Sequence, residues 1–369
     1  MKITFPYMGN SYLVFSQLLR DLGHEPIIPP CPSKRTLDYG TRYAPEFACI
    51  PFKVLLGTYQ EAVALGAEAI ITSGGVGPCR AGYYATLHQR ILQDLGINLD
   101  FIVLEPPLRN LTDFCRQLHK LVPRGIGLIN LMQALYHAWT KLNVIDEVER
   151  LSHQIRPREL NLGQTTKVMT KCLQLIDAAK DVQEINNARE KCCQLLAEIP
   201  QDKNKPLLRI GIIGEIYVVL EPFINHNVQI LLEQMGVLAD RSIYLANWVR
   251  GNALVPGERE IKKAAKPFLR ELVGGHGVNS IGETILYARK GFDGVVQLAP
   301  FACIPEIVAK SILPHVSKKY NIPVLTLFLD EQTGEEGIKT RLEAFVELLK
   351  QKKEKGAEAI CKSVSLASM

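Results

Sequence analysis

Short apolar runs alternate along this chain with longer amphipathic stretches. Lys2 to Tyr7 reads as a strand, Gly9-Asn10-Ser11 as a turn, and about Tyr12 to Leu22 as a helix ended by Gly23. Glu25 to Ile28 is a second short strand, 52–65 a helix, and Ala67 to Thr72 a buried strand. A helix over Tyr83 to Leu95 and a strand over Asp100 to Leu104 follow. The pattern then restarts. Leu207 to Ile213 is an apolar strand, Gly214-Glu215 a turn, Val228 to Met235 a helix capped by Gly236, and Val237 to Leu245 returns to the sheet. Helix 280–290, strand Gly294 to Leu298, helix 304–313, strand Pro323 to Leu329 and a last helix near 335–353 complete it. Alternation at this spacing predicts parallel sheets covered on both faces.

The expected fold class is therefore α/β, with two doubly wound domains of similar plan, consistent with an old duplication. Residues 110–198 are mostly helical by pattern, and Thr165 to Glu198 reads as one long helix or two shorter ones. Pro200 to Pro206 is a polar breaker and the best boundary. The expected division is 1–109 and 204–355 for the α/β domains, 110–203 for the helical segment, and 356–369 for a tail.

At 369 residues the chain is long enough for two cores. Its 47% hydrophobic and 22% charged content is that of a globular protein. The net charge of +5 is mild and no basic stripe is interleaved with aromatics, which argues against nucleic-acid binding. The lysine run at 350–355 reads as the solvated end of a helix. No apolar run approaches the roughly 18 residues of a transmembrane helix. The N-terminus enters a strand directly without a signal-peptide pattern, so the expected location is the cytoplasm. In that compartment nine cysteines, an odd number, suggest metal or redox use over a disulfide framework.

Their placement sharpens this. Phe47-Ala48-Cys49-Ile50-Pro51 returns as Phe301-Ala302-Cys303-Ile304-Pro305. Cys79 sits in Gly74-Gly75-Val76-Gly77-Pro78-Cys79-Arg80, a loop closing a strand, and Cys31 lies between prolines in Pro29-Pro30-Cys31-Pro32. Distant thiolates on separate loops suit an iron–sulfur cluster, which needs about four soft ligands. A parallel sheet gathers such loops at the carboxyl ends of its strands. Cys79 and Cys303 each follow a strand. Cys49 precedes a helix, whose first amides can face the cluster sulfurs. A single cysteine in isolation reads as a small buried hydrophobe. Cys49, Cys79 and Cys303 together, on Gly- and Pro-shaped loop ends, do not. Cys31 is a fourth ligand or a turn residue. Cys115, Cys172, Cys192, Cys193 and Cys361 lie in helical or terminal stretches and read as core filler. Zinc lacks its usual close cysteine pair here, and thioredoxin-like chemistry lacks its C-x-x-C.

Around the thiols, Lys53 and Arg80 add positive charge. Gly74, Gly75 and Gly77 match no Walker or dinucleotide fingerprint and let the backbone bend around a bulky ligand. Glu215, at the carboxyl edge of a strand, is an acid/base or substrate-holding group, or simply a helix cap. Tyr83 and Tyr84 line the same crevice or pack in the core. Glu306 reads as a first-turn acid complementing the helix dipole. Gly274-Gly275-His276-Gly277 reads as a helix-ending loop, with His276 a weak ligand candidate.

Four stretches together carry a resemblance: Cys49 to Gly57 (CIPFKVLLG), Gly75 to Tyr84 (GVGPCRAGYY), Gly214-Glu215-Ile216-Tyr217, and Phe301 to Glu306 (FACIPE). In these the chain resembles the 2-hydroxyacyl-CoA dehydratase family, and more narrowly its branch labelled CoA-protein activase; Thr340 to Phe345 (TRLEAF) also fits that branch. The resemblance runs from about residue 1 to 350. It implies two flavodoxin-like domains with a 4Fe–4S cluster, or a double cubane, held between them by cysteines from both. Carried over, Cys49, Cys79 and Cys303 are the ligands, with Cys31 as the fourth. It implies an electron-donating partner, an ATP-hydrolysing iron–sulfur activase of the actin/Hsp70 fold. It also implies a 2-hydroxyacyl-CoA or other small-molecule substrate that loses water through a ketyl radical, and a homodimer. The activase fold itself is not expected, because the chain lacks that ATPase's phosphate loops. Three cysteine ligands and a roomy crevice favour a reductase or dehydratase-like component. Four ligands and a closed cluster favour a non-catalytic electron-transfer or scaffold protein. Core cysteines throughout would leave an ordinary doubly wound binding protein.

Overall fold

The computed structural model describes the chain except residues 76, 106–110, 124, 252–257 and 368–369, with backbone alone for 356–367. The first half runs β1 (Lys2–Thr4), α1 (Tyr12–Asp21), β2 (Glu25–Pro26), α2 (Lys34–Tyr43), α3 (Ile50–Ala64), β3 (Ala69–Ser73), α4 (Tyr84–Asp94) and β4 (Asp100–Leu104). Helices α5 (Leu111–Leu121), α6 (Leu128–Ile155), α7 (Gln164–Ala178) and α8 (Val182–Ala197) follow. The second half runs β5 (Leu208–Gly214), α9 (Ile216–Leu220), α10 (Pro222–Asn225), α11 (Val228–Gln234), β6 (Val237–Arg241), α12 (Leu245–Val249), α13 (Arg259–Ala265) and α14 (Gly277–Arg289). It ends with β7 (Gly294–Pro300), α15 (Ile304–Tyr320), β8 (Val324–Leu329) and α16 (Glu335–Ala367).

The expected fold class is what the structure has. Each half forms a four-stranded sheet, in the order β2-β1-β3-β4 and β6-β5-β7-β8. Every pairing is parallel, with registers such as Ile3↔Ala69, Ile70↔Phe101 and Gly214↔Leu298. Parallel neighbours require crossovers, and helices supply them. The first strand of each half has the second on one side and the third on the other, so the chain reverses its winding there. In such sheets ligand crevices form at the reversal, here the carboxyl ends of β1 and β3 and of β5 and β7. Strand β7 is buried at every position, as a central strand covered on both faces should be.

Helix α3 joins the halves. Every position from Ile50 to Tyr59 is buried. One apolar cluster takes in Phe52, Leu56 and Tyr59 of α3, Ile70 and Phe101 of the first sheet, and Ile210, Val218 and Leu298 of the second half. The Tyr217 hydroxyl donates to the Tyr7 carbonyl at 2.7 Å, and Gly9 N–H to Glu221 Oε2 at 2.8 Å, across the same junction.

Several boundaries differ from the expectations. Strand β6 ends at Arg241 rather than near Leu245. Thr165 to Glu198 is two helices, the second started by Asp181, whose carboxylate accepts the Glu184 N–H at 2.8 Å. Helix α2 was not anticipated; Ser33 and Thr36 form a capping box at its start. Helix α5 packs on the first sheet, with Leu121 beside Ile3, Ile71 and Ile102. Helices α6 to α8 build their own cluster, which takes in Leu13 and Val14 of α1 and Ala246 of α12. Helix α16 continues beyond residue 355. Among the described residues no helix is long and apolar enough to cross a membrane.

Candidate functional site

Cys49, Cys79 and Cys303 share one local design. Each is the residue immediately before a helix: α3, the 3-10 turn Arg80–Tyr83 that leads into α4, and α15. All three have extended backbone, and none of their side chains caps its helix in the way a serine or aspartate would. In both FACIP copies the proline occupies the first turn, where its missing N–H costs nothing. The motif thus sets a thiol at a helix N-terminus, where unpaired amides face outward. The Glu306 N–H faces the Cys303 thiol and the Ala81 N–H the Cys79 thiol.

The three thiols lie near one another. Cys79 bears electrostatically on Cys49, and Cys49 on Cys303. Glu215 acts on all three. Glu215 follows β5 and Cys303 follows β7, neighbouring strands at the winding reversal. Gly214 makes that approach possible: its φ is +141°, and a Cβ there would lie 2.1 Å from the Leu298 carbonyl oxygen. The Glu215 N–H donates to that same oxygen at 3.2 Å.

Burial dominates the electrostatics. It raises the Cys49 thiol, opposed by a bond to the Tyr84 hydroxyl at 2.5 Å, with Glu215 pushing up and Arg80 pulling down. It raises Cys79, opposed by the Ala81 N–H and Arg80. It raises Cys303 as well, with Glu215 adding to the effect and the Glu306 N–H opposing it. Burial lifts Glu215 to about 6, opposed by the Val218 and Tyr217 N–H groups. The cap is what the structure shows for Glu215: Val218 N–H donates to its Oε2 at 3.0 Å at the start of α9, and the same carboxyl bears on the thiols.

The two cations tie loops together. Lys53 is buried; its Nζ donates to Glu331 Oε1 at 2.7 Å and to the Glu46 carbonyl at 3.1 Å. Arg80 donates from Nη1 to the Phe47 carbonyl at 2.9 Å and from Nη2 to the Ala302 carbonyl at 2.6 Å. Ala302 has a φ of +63°, a conformation seen elsewhere among the described non-glycine residues only at His226, Asn227 and Asn321. Gly75 packs against Gly82, closing the loop on itself; Gly77 has a φ of +123°, and Val76 lies outside the described residues.

Other assignments sort out differently. The Cys31 thiol has different neighbours: it is acted on by Glu221 and bonded to Tyr7. Tyr84 is at the site, whereas Tyr83 is 73% exposed. The glycine cluster at 274–277 opens α14 rather than ending a helix; a Cβ on Gly275 would lie 3.8 Å from Cys79 Sγ. His276, at the head of α14, is buried there, which lowers its pKa, while Glu258 opposes. Glu306 is in its first turn as expected, and it is fully buried. Ser280 donates to its Oε2 at 2.9 Å and Gln297 at 2.8 Å, and burial lifts it to about 7. Cys172 and Cys192 are core residues, Cys193 is half-buried, and Cys115 is exposed, so it is not filler. The side chain of Cys361 lies outside the description.

Among the described residues no three His, Cys, Asp or Glu side chains stand close enough to hold a single metal ion. A cavity of about 250 Å³ lies away from the thiols, lined by α6, α7 and the α9–α11 region. Arg241 and Glu149 of its wall form an ion pair, and Arg156 of the wall pairs with the buried Glu233.

Comparison with curated proteins gives no match. The sequence profile described as 2-hydroxyglutaryl-CoA dehydratase, D-component, matches residues 32–349, which takes in all three thiol loops and Glu215. The chain therefore belongs to the 2-hydroxyglutaryl-CoA dehydratase D-component family, within the 2-hydroxyacyl-CoA dehydratases.

Proposed function

We propose that the chain is an iron–sulfur component of a dehydratase, with Cys49, Cys79 and Cys303 holding a 4Fe–4S cluster between the two sheet domains. The observation that carries this is the trio itself: three thiols from both halves, each on a helix N-terminus and near the others. The donor set suits the group. Thiolates are the soft ligands that iron–sulfur clusters take. A cubane is larger than one ion, so its ligands need not converge as tightly as those of a single metal. Burial keeps these thiols protonated while no cation is present, and ligation would release those protons. When bound, the cluster would supply single electrons at low potential, delivered by an ATP-hydrolysing activase.

The chain's own residues set the rest. Helix amides at Ala81 and Glu306 would stabilise negative charge beside Cys79 and Cys303. Tyr84 holds the Cys49 sulfur. Glu215, buried and lifted to about 6, would hold or move a proton at its carboxyl oxygens beside an acyl-CoA-class substrate. Gly75 and Gly77 shape the Cys79 loop. Cys31, beside Tyr7 and Glu221, is left outside the ligand set. Three protein ligands leave one iron without one, which favours a catalytic over a purely electron-carrying role.

The test is anaerobic reconstitution with iron and sulfide counted per chain, and EPR after dithionite. The wild type should hold about four irons. Cys49→Ala, Cys79→Ala and Cys303→Ala should each lose them, and Cys31→Ala should keep them. No iron in the wild type, or full iron in the three variants, refutes the assignment.

A further inference from the structure

One side chain touches the loops of all three thiols. Arg80 is the residue after Cys79. Its two terminal nitrogens reach the Phe47 carbonyl, two residues before Cys49, and the Ala302 carbonyl, one residue before Cys303. The first bond stays within the N-terminal half; the second spans 222 positions into the C-terminal half. A planar fork presents two donors in fixed directions, so it can hold two carbonyls at a set separation. Ala302 is held at a φ of +63°, a costly conformation for a residue with a Cβ, and its carbonyl is the one Arg80 grips at 2.6 Å.

We propose that Arg80 is a positioning residue: it sets the span between the three cysteine loops and keeps the two halves closed over the thiols. The charge beside the cysteines is then secondary to the fork. The consequence for a cluster rests on the function proposed above. The clasp does not, because both its bonds run from Arg80 to backbone carbonyls.

The experiment separates the two. Metal-free wild type, Arg80→Ala and Arg80→Lys are alkylated with iodoacetamide under native conditions, and each cysteine is followed by mass spectrometry. Cys49 and Cys303 are 9% and 7% exposed and should react slowly. Cys115, which is exposed, is the fast reference; Cys172 and Cys192, fully buried in α7 and α8, report on the whole fold. Both hydrogen bonds involve an exposed guanidinium, so a modest effect is expected. Arg80→Ala should speed Cys49 and Cys303 about five- to tenfold, with Cys172 and Cys192 unchanged. Arg80→Lys keeps the charge and loses the fork, so it should resemble the alanine variant more than the wild type. Unchanged rates at Cys49 and Cys303 overturn the clasp. So does an equal rise at Cys172 and Cys192, which would make Arg80 a determinant of global stability. Full wild-type protection in Arg80→Lys would assign the effect to charge instead of geometry and overturn the clasp as well. Iron content is then measured on the same three proteins. A wild type that binds no iron refutes the cluster while leaving the alkylation result standing.

Discussion

Gly214→Ala tests whether the crevice depends on the close approach of β5 to β7. The backbone there has a φ of +141°, a region essentially restricted to glycine, where another residue costs about 1–3 kcal/mol. A Cβ would also sit 2.1 Å from the Leu298 carbonyl oxygen, and contacts below 3.0 Å are essentially never made. The strands must therefore separate by 0.9 Å, the difference between those two distances. That oxygen accepts the Glu215 N–H at 3.2 Å, so the separation also loses about 1 kcal/mol of hydrogen bond. The sum is about 2–4 kcal/mol, toward the upper end of single-residue effects. Gly66→Ala is the control: its φ is +93° and nothing lies within 4 Å of its Cβ, so it carries backbone strain alone. Urea unfolding of the metal-free proteins compares the two. Hydrogen exchange should show lost protection in β5 and β7 with β1 and β3 unaffected. A Gly214→Ala midpoint no lower than that of Gly66→Ala would refute the close approach and the placement of Glu215 built on it.

Burial lifts Glu283 to about 8 from its ordinary 4.5, with Ser242 opposing and Glu306, Glu258 and Asp240 adding to the rise. The folded form therefore holds a proton that the unfolded form gives up, so its stabilising contribution is full below about pH 4.5 and is lost as pH rises through about 8. Glu283→Gln should flatten the fall of Tm between pH 5 and 8.5; parallel profiles for variant and wild type would contradict it. Cys172→Ala should cost about 1 kcal/mol, because it removes a fully buried sulfur, while keeping the iron; Cys115→Ala should change neither Tm nor iron. Iron loss in either variant, measured beside the Tm, would show that these thiols had been sorted wrongly.

Much of the fold was legible because its central strands are buried on both faces. Ala69–Ser73, Leu208–Gly214 and Gly294–Pro300 read as short apolar runs closed by glycine or proline, and each is a strand. The short helices α9, α10, α12 and α13 escaped because a stretch of four to seven residues has too little length to display a helical period. Helix α2 escaped for another reason. Its apolar content is low, and its signal was the Ser33–Thr36 capping box, not a stripe. The thiol site was legible in its residues but not in its bonds. Arg80 and Lys53 were visible as charges beside cysteines, yet what they hold are backbone carbonyls and Glu331, contacts that no local pattern encodes. Glu306 was readable as a first-turn acid, but its burial was not, because Ser280 and Gln297, which satisfy it, lie on other elements.

The repeated pentapeptide carries the sharpest lesson about reading sequence as structure. Two copies of FACIP in two similar halves invite the view that they are corresponding parts of a duplication. The topology says otherwise. Strands β1 to β4 and β5 to β8 are ordered identically, which sets the correspondence between halves. Cys303 follows β7, the third strand of its sheet, so its counterpart is Cys79, which follows β3. Cys49 begins the helix that leads into β3, so its counterpart is His276, at the start of the helix that leads into β7. The copies of FACIP therefore stand at different places in the two halves. Their backbones differ accordingly, with a positive φ at Ala302 that Ala48 does not share. What they have in common is the task of starting a helix, with the thiol just before it and proline in its first turn. The same physical task is thus met at two places with the same words, and at a third, Cys79, with different ones.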